Sequence, residues 1–306
     1  MRKAPTSCLI GGSPLASTSE PGLEGSCGFD GIVQAPATRG IDRIEARFRG
    51  NAYSPHRHDT YALGVTLSGV QTFRYRGETR FSLPGQVIVL HPDELHDGAA
   101  GTELGLRYRM LYLPPERVIE AAGGRRQLPF VRSPVLRDDE LRQSLLEALG
   151  DLQGEPSDLA WDDLLARFAD RLWRHADREG ARRGFVAHGA VTRCREFLHD
   201  NSDRPVSSDE LERISGLDRY ALARHFRAML GTSPHRYLVM RRLEKARSLM
   251  AEGLSLSEAA SASGFADQSH FTRHFKSTFG MTPGRWLVLT GTAGEGPARG
   301  PLRRGP

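Results

Sequence analysis

From Ile41 to Leu113 the apolar positions come in short strand-like runs, and after Pro134 they recur at helical spacing. Tyr61 to Leu67 is apolar and β-branched, Gln71 to Tyr75 and Thr79 to Leu83 alternate, and Gln86 to Leu90 is a continuous buried-type run. Ser68-Gly69, Arg76-Gly77, Pro84-Gly85 and Pro92-Asp93 supply turns between them. Strands this short and evenly spaced predict an antiparallel barrel or sandwich. Beyond them, Leu141, Leu145, Leu146 and Leu149 share one helical face, and Leu159, Leu164, Leu165, Phe168 and Leu172 another, with Trp173 nearby. Such stripes either pack on the outside of the sheet or pair two subunits, and a homodimer through these leucines is the expectation.

Residues 185 to 290 read as helical throughout and repeat themselves. Val206-Ser207-Ser208, Ser215-Gly216-Leu217, Arg224-His225-Phe226, Gly231, Pro234 and Tyr237 recur as Leu254-Ser255-Leu256, Ser263-Gly264-Phe265, Arg273-His274-Phe275, Gly280, Pro283 and Trp286, first 48 and then 49 residues on. Two copies are too few for a solenoid and indicate a duplicated small motif. Each copy opens on Ser-x-x-Glu (Ser207 to Glu210, Ser255 to Glu258), the spacing of a capping box. A Ser-Gly turn and a second helix follow, which makes a helix-turn-helix. In that motif the second helix enters the DNA major groove, where base edges carry a readable pattern of donors and acceptors. Arg219, Tyr220, Ala223 and Arg224 in the first copy, and Gln268, Ser269, His270 and Arg273 in the second, occupy the outer faces. Leu222, Phe226 and Leu230, with Phe271, Phe275 and Phe279, have core spacing.

Composition sharpens this picture. A 306-residue chain with net charge +5 has room for two cores, and Phe185 to Thr290 alone holds fifteen basic against eleven acidic residues, +4 of that total. The charge lies where DNA binding is expected. No apolar run reaches the roughly 18 residues of a membrane span. Met1 to Gly25 lacks the apolar stretch of a secretory signal, and Cys8, Cys27 and Cys194 are odd in number and far apart. A cytoplasmic protein with free thiols is expected. Walker, Rossmann, nucleophile-elbow, zincin and Cys-x-x-Cys signatures are missing, so no enzyme and no cofactor are expected.

The segment Gly264-Phe265-Ala266-Asp267-Gln268-Ser269-His270-Phe271-Thr272-Arg273-His274-Phe275-Lys276, followed by Phe279-Gly280-Met281-Thr282-Pro283, resembles the signature of the AraC/XylS family of bacterial transcription regulators. With the weaker first copy the resemblance covers about 100 residues. It implies a seven-helix domain in which a long helix, here Pro234 to Met250 with Tyr237, Arg241, Leu243, Ala246 and Leu249, holds the two reading helices about one DNA turn apart. Carried over position by position, base contacts fall on Tyr220 and Arg224 and on Gln268, Ser269 and Arg273. Arg219, His270 and Lys276 complete the set of DNA-contact candidates.

The barrel has its own candidate chemistry. His56-Arg57-His58 precedes the first strong strand, and His91 and His96 bracket a turn. Residues two apart on a strand share a face, so His56 and His58 can point together into a barrel mouth with His96 across from them. That arrangement resembles a cupin, and Pro-His-x-His-Asp with His-Pro-Asp-Glu-Leu-His is similar to the sensor barrel found in front of AraC-type regulators. Three imidazoles could hold a divalent metal, but the carboxylate that metal cupins place after His-x-His is not evident, and Tyr61 sits near that position. A metal site is not assigned; His56, His58, Tyr61 and His96 are effector-binding candidates. Tyr53, Phe73, Tyr75, Arg107 and Tyr108 could also line a pocket or fill the core.

The chain is thus expected to comprise a disordered tail (1–35), an all-β cupin-like sensor barrel (36–133), a helical dimerisation and linker segment (134–184), an all-α double helix-turn-helix domain (185–290) and a second tail (291–306). The expected function is a sequence-specific, DNA-binding transcription regulator responding to a small-molecule effector, with double-stranded DNA, RNA polymerase and a second copy as candidate partners and no membrane. Two rivals remain: a metal-dependent cupin enzyme fused to a DNA-binding module, and a constitutive DNA binder whose barrel only dimerises.

Overall fold

Period-two alternation in the N-terminal half builds two antiparallel sheets, seen in a computed structural model that describes residues 30–125, 127–176 and 186–291. The strands are β1 (Gly31–Gln34), β2 (Asp42–Phe48), β3 (Asn51–His56), β4 (Tyr61–Gly69), β5 (Gln71–Tyr75), β6 (Glu78–Ser82), β7 (Val87–Leu90), β8 (His96–Ala100), β9 (Leu106–Leu113) and β10 (Val135–Leu136). One sheet has the order β1-β2-β9-β4-β7-β10, the other β3-β8-β5-β6. Alternation decides which side chain meets which layer. Ala62, Ile88, Leu90, Tyr108 and Met110 point inward, whereas Tyr61, Leu63, Val65, Val87, Val89 and Leu111 point out of the barrel.

That outward apolar face is covered by α2 (Asp139–Leu149) and α3 (Asp158–His175), which follow the short α1 (Pro115–Ala121), a helix the sequence pattern had not marked. Leu141, Leu145, Leu149, Leu164, Leu165, Phe168 and Leu172 are buried there, with Trp161 beneath them. The expected pairing of two subunits through these leucines is therefore corrected: the stripe is spent within one chain, and only Leu159, 80% exposed, stands clear of it. Cations on the sheet fix the end of α2. The buried Arg43 donates to the carbonyls of Ala148, Asp151 and Gly154, and Arg109 donates to Leu149 O at 2.6 Å. Glu45 sits among Arg47, Arg107 and Arg109. Burial works against its charge, yet the three guanidiniums hold its carboxyl down to about 2.

Gly31–Gln34, placed by the sequence in the tail, instead pairs in register with β2. Residues 1–29, with Cys8 and Cys27, and residues 292–306 lie outside the described residues, as do 126 and 177–185. Cys194 is a buried free thiol.

The C-terminal half contains α4 (His188–Asp200), α5 (Ser208–Ser215), α6 (Arg219–Leu230), α7 (Pro234–Ala251), α8 (Leu256–Ala262), α9 (Gln268–Phe279) and α10 (Pro283–Thr290). Its core does not stop at its own boundary. Met240, Leu243, Phe271, Phe275, Met281 and Trp286 form one continuous cluster with the barrel interior, so the helices close the barrel's mouth. Both recognition helices end on glycines that press against the barrel. Gly231, at φ 72°, brings its α-carbon so near Pro92 that a Cβ would lie 2.6 Å from that ring. Gly280, at φ 68°, would set a Cβ 2.8 Å from His56 Nδ1 and 2.9 Å from Ser54 O, while its own carbonyl accepts from Ser54 N at 2.9 Å.

Comparison of two glycines isolates the value of this approach. Gly216→Ala adds a side chain in open space at φ 71° and is expected to cost about 1 to 2 kcal/mol for the left-handed backbone alone. Gly280→Ala pays the same and must also push β3 away, so its denaturation midpoint is expected to fall further; equal losses would show that the contact with β3 adds nothing.

Candidate functional site

Two helix-turn-helix units are built by the same local rules. Ser207 caps α5 and Ser255 caps α8, each in a full capping box with Glu210 and Glu258. Asp218 then accepts from Tyr220 N and Ala221 N at the start of α6, and Asp267 from His270 N at the start of α9. The caps set where each reading helix begins. Leu222, Phe226 and Leu230, and Phe271 and Phe275, are buried as core positions, with Phe279 packed against the same core. Between the units runs α7, 18 residues and about 27 Å long.

Tyr220 is 72% exposed and Arg224 is exposed one turn further along α6. Arg219 is turned back, ion-paired to Glu212 at 2.8 Å and Asp209 at 3.0 Å, so here it ties α6 to α5. In the second unit Gln268, Ser269, Arg273 and Lys276 lie exposed along one face of α9, and with Thr272, Ser277 and Pro55 of β3 they line an open concave surface. Thr272 belongs to that face at helical spacing, although the sequence had not singled it out. His270 is half-buried instead, with its Nε2 2.9 Å from that of His274 and its ring edge-on to Phe265. Because the C-terminal ends of α6 and α9 dock on the barrel, their N-terminal turns are left exposed.

The barrel histidines gather where the two halves meet. Ring centroids of His56 and His96 lie 4.3 Å apart, those of His58 and His96 4.9 Å, and all three rings are buried. Each Nδ1 faces a backbone carbonyl at 2.9 Å: Ser54 O, Thr60 O and Glu94 O. A carbonyl only accepts, so the proton of each neutral ring sits on Nδ1 and Nε2 keeps its lone pair. Burial, reinforced by the neighbouring imidazoles, pushes His56 and His58 well below the ordinary histidine range, and burial brings His96 down to about 4. Among the described residues no three His, Cys, Asp or Glu are arranged to hold a metal ion.

His56 and His58 line a cavity of about 80 Å³ between the barrel and α7, α9 and α10. Its wall also includes Asp42, Tyr53, Asp59, Tyr112, Glu244 and Arg247. His96 stacks behind them and does not reach the cavity. Tyr61, expected beside them, is corrected to a structural residue: alternation sends it out of the barrel, where its hydroxyl donates to Pro129 O at 2.8 Å. Phe73, Tyr75 and Tyr108 are buried in the core, and Arg107 lies on the outer face with Glu45. The charged residues of the cavity escaped the sequence reading because they come from segments some 200 positions apart. Asp42 is ion-paired to Arg247, Asp59 to Arg241 at 2.9 Å, and Asp93 to Arg236 at 2.6 Å.

Residues 39–169 match the model of the AraC-like ligand binding domain, and residues 211–288 a helix-turn-helix domain. The two matches together give the chain the domain make-up of AraC-type transcription regulators. It is similar to the HTH-type transcriptional regulator YbfI of Bacillus subtilis, at 28% identity over 74% of this chain and 85% of that one. It also matches the transcriptional activator RhaS of Salmonella typhimurium, at 24% identity over 78% and 88%. The fold matches that of ToxT from Vibrio cholerae with a TM-score of 0.60 at 13% identity, over 81% of this chain and 98% of the other. With an AraC-like ligand-binding domain and a helix-turn-helix domain it is a DNA-binding transcription regulator. No helix among the described residues is long and apolar enough to cross a membrane.

Arg273→Ala is expected to weaken binding to a selected DNA site by about 1 to 3 kcal/mol and to relax preference at one base pair if the guanidinium reads a guanine. Lys276→Ala is expected to weaken all sequences alike and flatten the salt dependence. Fluorescence anisotropy across a set of point-changed duplexes separates the two; an unchanged base preference removes Arg273 from the reading set. The histidines give a pH dependence. Their folded-state values are depressed, so between about pH 6.5 and pH 4 the unfolded chain takes up protons that the folded seam refuses, and stability falls as pH falls. His96 alone accounts for on the order of 3 kcal/mol of that loss. A thermal midpoint with the same pH slope in wild type and His96→Asn would rule this out.

Proposed function

We propose that the effector binds in the cavity between barrel and helices and acts by changing how α7 is held. One observation supports this above all: α7 is at once a wall of the cavity, through Met240, Glu244 and Arg247, and the rod between the two helix-turn-helix units. Anything that alters its seating alters the spacing at which both reading helices meet DNA. A ligand shifts that equilibrium only as far as it binds the two arrangements unequally. A structure of ToxT with an unsaturated fatty acid bound gives a precedent for a small-molecule ligand on this architecture.

The DNA-reading residues we assign are Tyr220, Arg224, Gln268, Ser269, Arg273 and Lys276, with Arg219 and His270 supporting the helices that carry them. Regulation of transcription through contact with RNA polymerase in the cytoplasm belongs to the same reading. Homodimerisation has lost its original support, since the leucine stripe is covered. Among the described residues no donor arrangement favours the metal-dependent enzyme alternative.

Genome-wide mapping of the tagged protein in its host, with Arg224 and Arg273 both changed to Ala as the control, is expected to give discrete sites that vanish in the double variant. Sites that persist would move DNA recognition away from these helices. Ile44→Phe, which fills the cavity from the barrel side, is expected to change output of the full-length protein at those promoters severalfold while its circular dichroism melt stays close to wild type. Output that stays at the wild-type level would remove the cavity from the control mechanism.

A further inference from the structure

The charge on the cavity wall does not balance. Three carboxylates, Asp42, Asp59 and Glu244, line it with one guanidinium, Arg247. Arg247 is taken by Asp42. Arg241, just behind the wall, is shared between Asp59 Oδ2 and Glu244 Oε1, each at 2.9 Å. Three anions thus meet two cations, and the site is one positive charge short.

The hydrogen-bonding groups lean the same way. Asp59 is 4% exposed, and its Oδ1 has no hydrogen-bond partner among the described residues; the same holds for Nε2 of His58, 6% exposed. The His58 proton is committed to the side of Thr60 O, so Nε2 can only accept, as can the carboxylate oxygen. Buried acceptors left without donors are costly, and a native structure carries them where something else completes them. Glu244 is enclosed by protein but keeps 42% of its side-chain surface free, because it faces the cavity and the open groove that continues from it past Gly40 and Lys245. Desolvation, with Asp59 and Asp42 nearby, pushes its carboxyl up to about 7 against the pull of Arg241 and Arg247. Much of the remaining wall is apolar or aromatic, through Ile32, Ile44, Met240, Phe279 and Trp286, with Gln34, Thr60 and Thr278 adding neutral polar groups.

We propose that this cavity takes a small organic cation, an ammonium or amidinium on a short apolar or aromatic body, whose N–H groups meet Glu244, Asp59 Oδ1 and His58 Nε2. The inference rests on the cavity being the effector site and adds the chemical class of the ligand. An anionic ligand finds no unpaired cation on this wall. A volume of about 80 Å³ admits roughly five to eight non-hydrogen atoms before the walls move, taking one water-sized atom per 10 to 15 Å³. The ligand would bridge the halves, since Asp59 and His58 belong to the barrel and Glu244 to α7.

The test is isothermal titration of the full-length protein at about pH 8, where Glu244 is ionised, with size-matched probes: propylammonium, propionate and propanol, then benzylammonium, benzoate and benzyl alcohol. The expected result is binding of at least one ammonium, none by its matched carboxylate, and roughly a tenfold or greater loss of affinity in Glu244→Gln. Glu244→Gln keeps the side chain's shape, and a circular dichroism melt close to wild type shows that the loss is not unfolding; Asp59→Asn gives a second, independent reading. Binding of the carboxylates instead, abolished by Arg247→Gln, would overturn the cation assignment while leaving the cavity as the effector site. Silence from every ammonium also overturns it. Ile44→Phe separates that failure from the broader one: altered promoter output with no ammonium binding leaves the cavity reading standing, and unaltered output removes both.

Discussion

Three arginines of one helix meet three aspartates of the barrel across the seam between the halves: Arg236 with Asp93, Arg241 with Asp59, Arg247 with Asp42. Charges removed from water are tolerated only when paired and further hydrogen-bonded, so these partners confine α7 to a narrow range of positions on the barrel. Arg236 is bound further by donating to the Arg57 carbonyl. Arg236, Met240, Glu244 and Arg247 recur at spacings of four, four and three, which is one face of a helix, and that face is turned to the barrel. The opposite demand, that α7 hold two DNA-reading units, is met by its ends and its other faces. One helix therefore carries the sensor contact and the reading geometry together.

The glycines reinforce the same seam at its two ends. Gly231 against Pro92 and Gly280 against β3 bring backbone to within reach of the barrel at the C-terminus of each reading helix. The duplicated motif gives the second half an approximate internal symmetry, and the barrel uses it by touching both copies at equivalent positions. Recognition faces are left outward as a result. The histidines lie at the second of these contacts, kept neutral by burial.

Much of this was legible in the residues. Period-two runs placed β4 to β7 within a residue or two, the capping boxes marked α5 and α8, and the repeat located both reading helices, because each of these signals is local in the chain. Tyr61 went wrong although the rule that places it was available: a strand sends neighbours to opposite faces, and Ala62, not Tyr61, looks inward. The leucine stripes were read correctly as helices and wrongly as a subunit contact, since amphipathicity says that a face is covered without saying by what. The cavity was not legible. Asp42, Glu244 and Arg247 are unremarkable charged residues until the fold brings strands and α7 together, and nothing local marks such a meeting.

The seam also sets the energy scale on which control must operate. To turn a regulator from one arrangement to the other, from 1 in 100 to 99 in 100, a ligand must favour one state by about 5.5 kcal/mol. A flat apolar contact of a few atoms cannot supply that, whereas a charged group completing a deficient buried network can, because the same low polarity that makes an unpaired charge expensive makes its pairing valuable. A wall of three carboxylates with one guanidinium on it and a second just behind is such a network. Its deficit lies at Glu244, on the helix that sets the geometry of DNA reading, so the place where ligand energy enters is the place where it can be used.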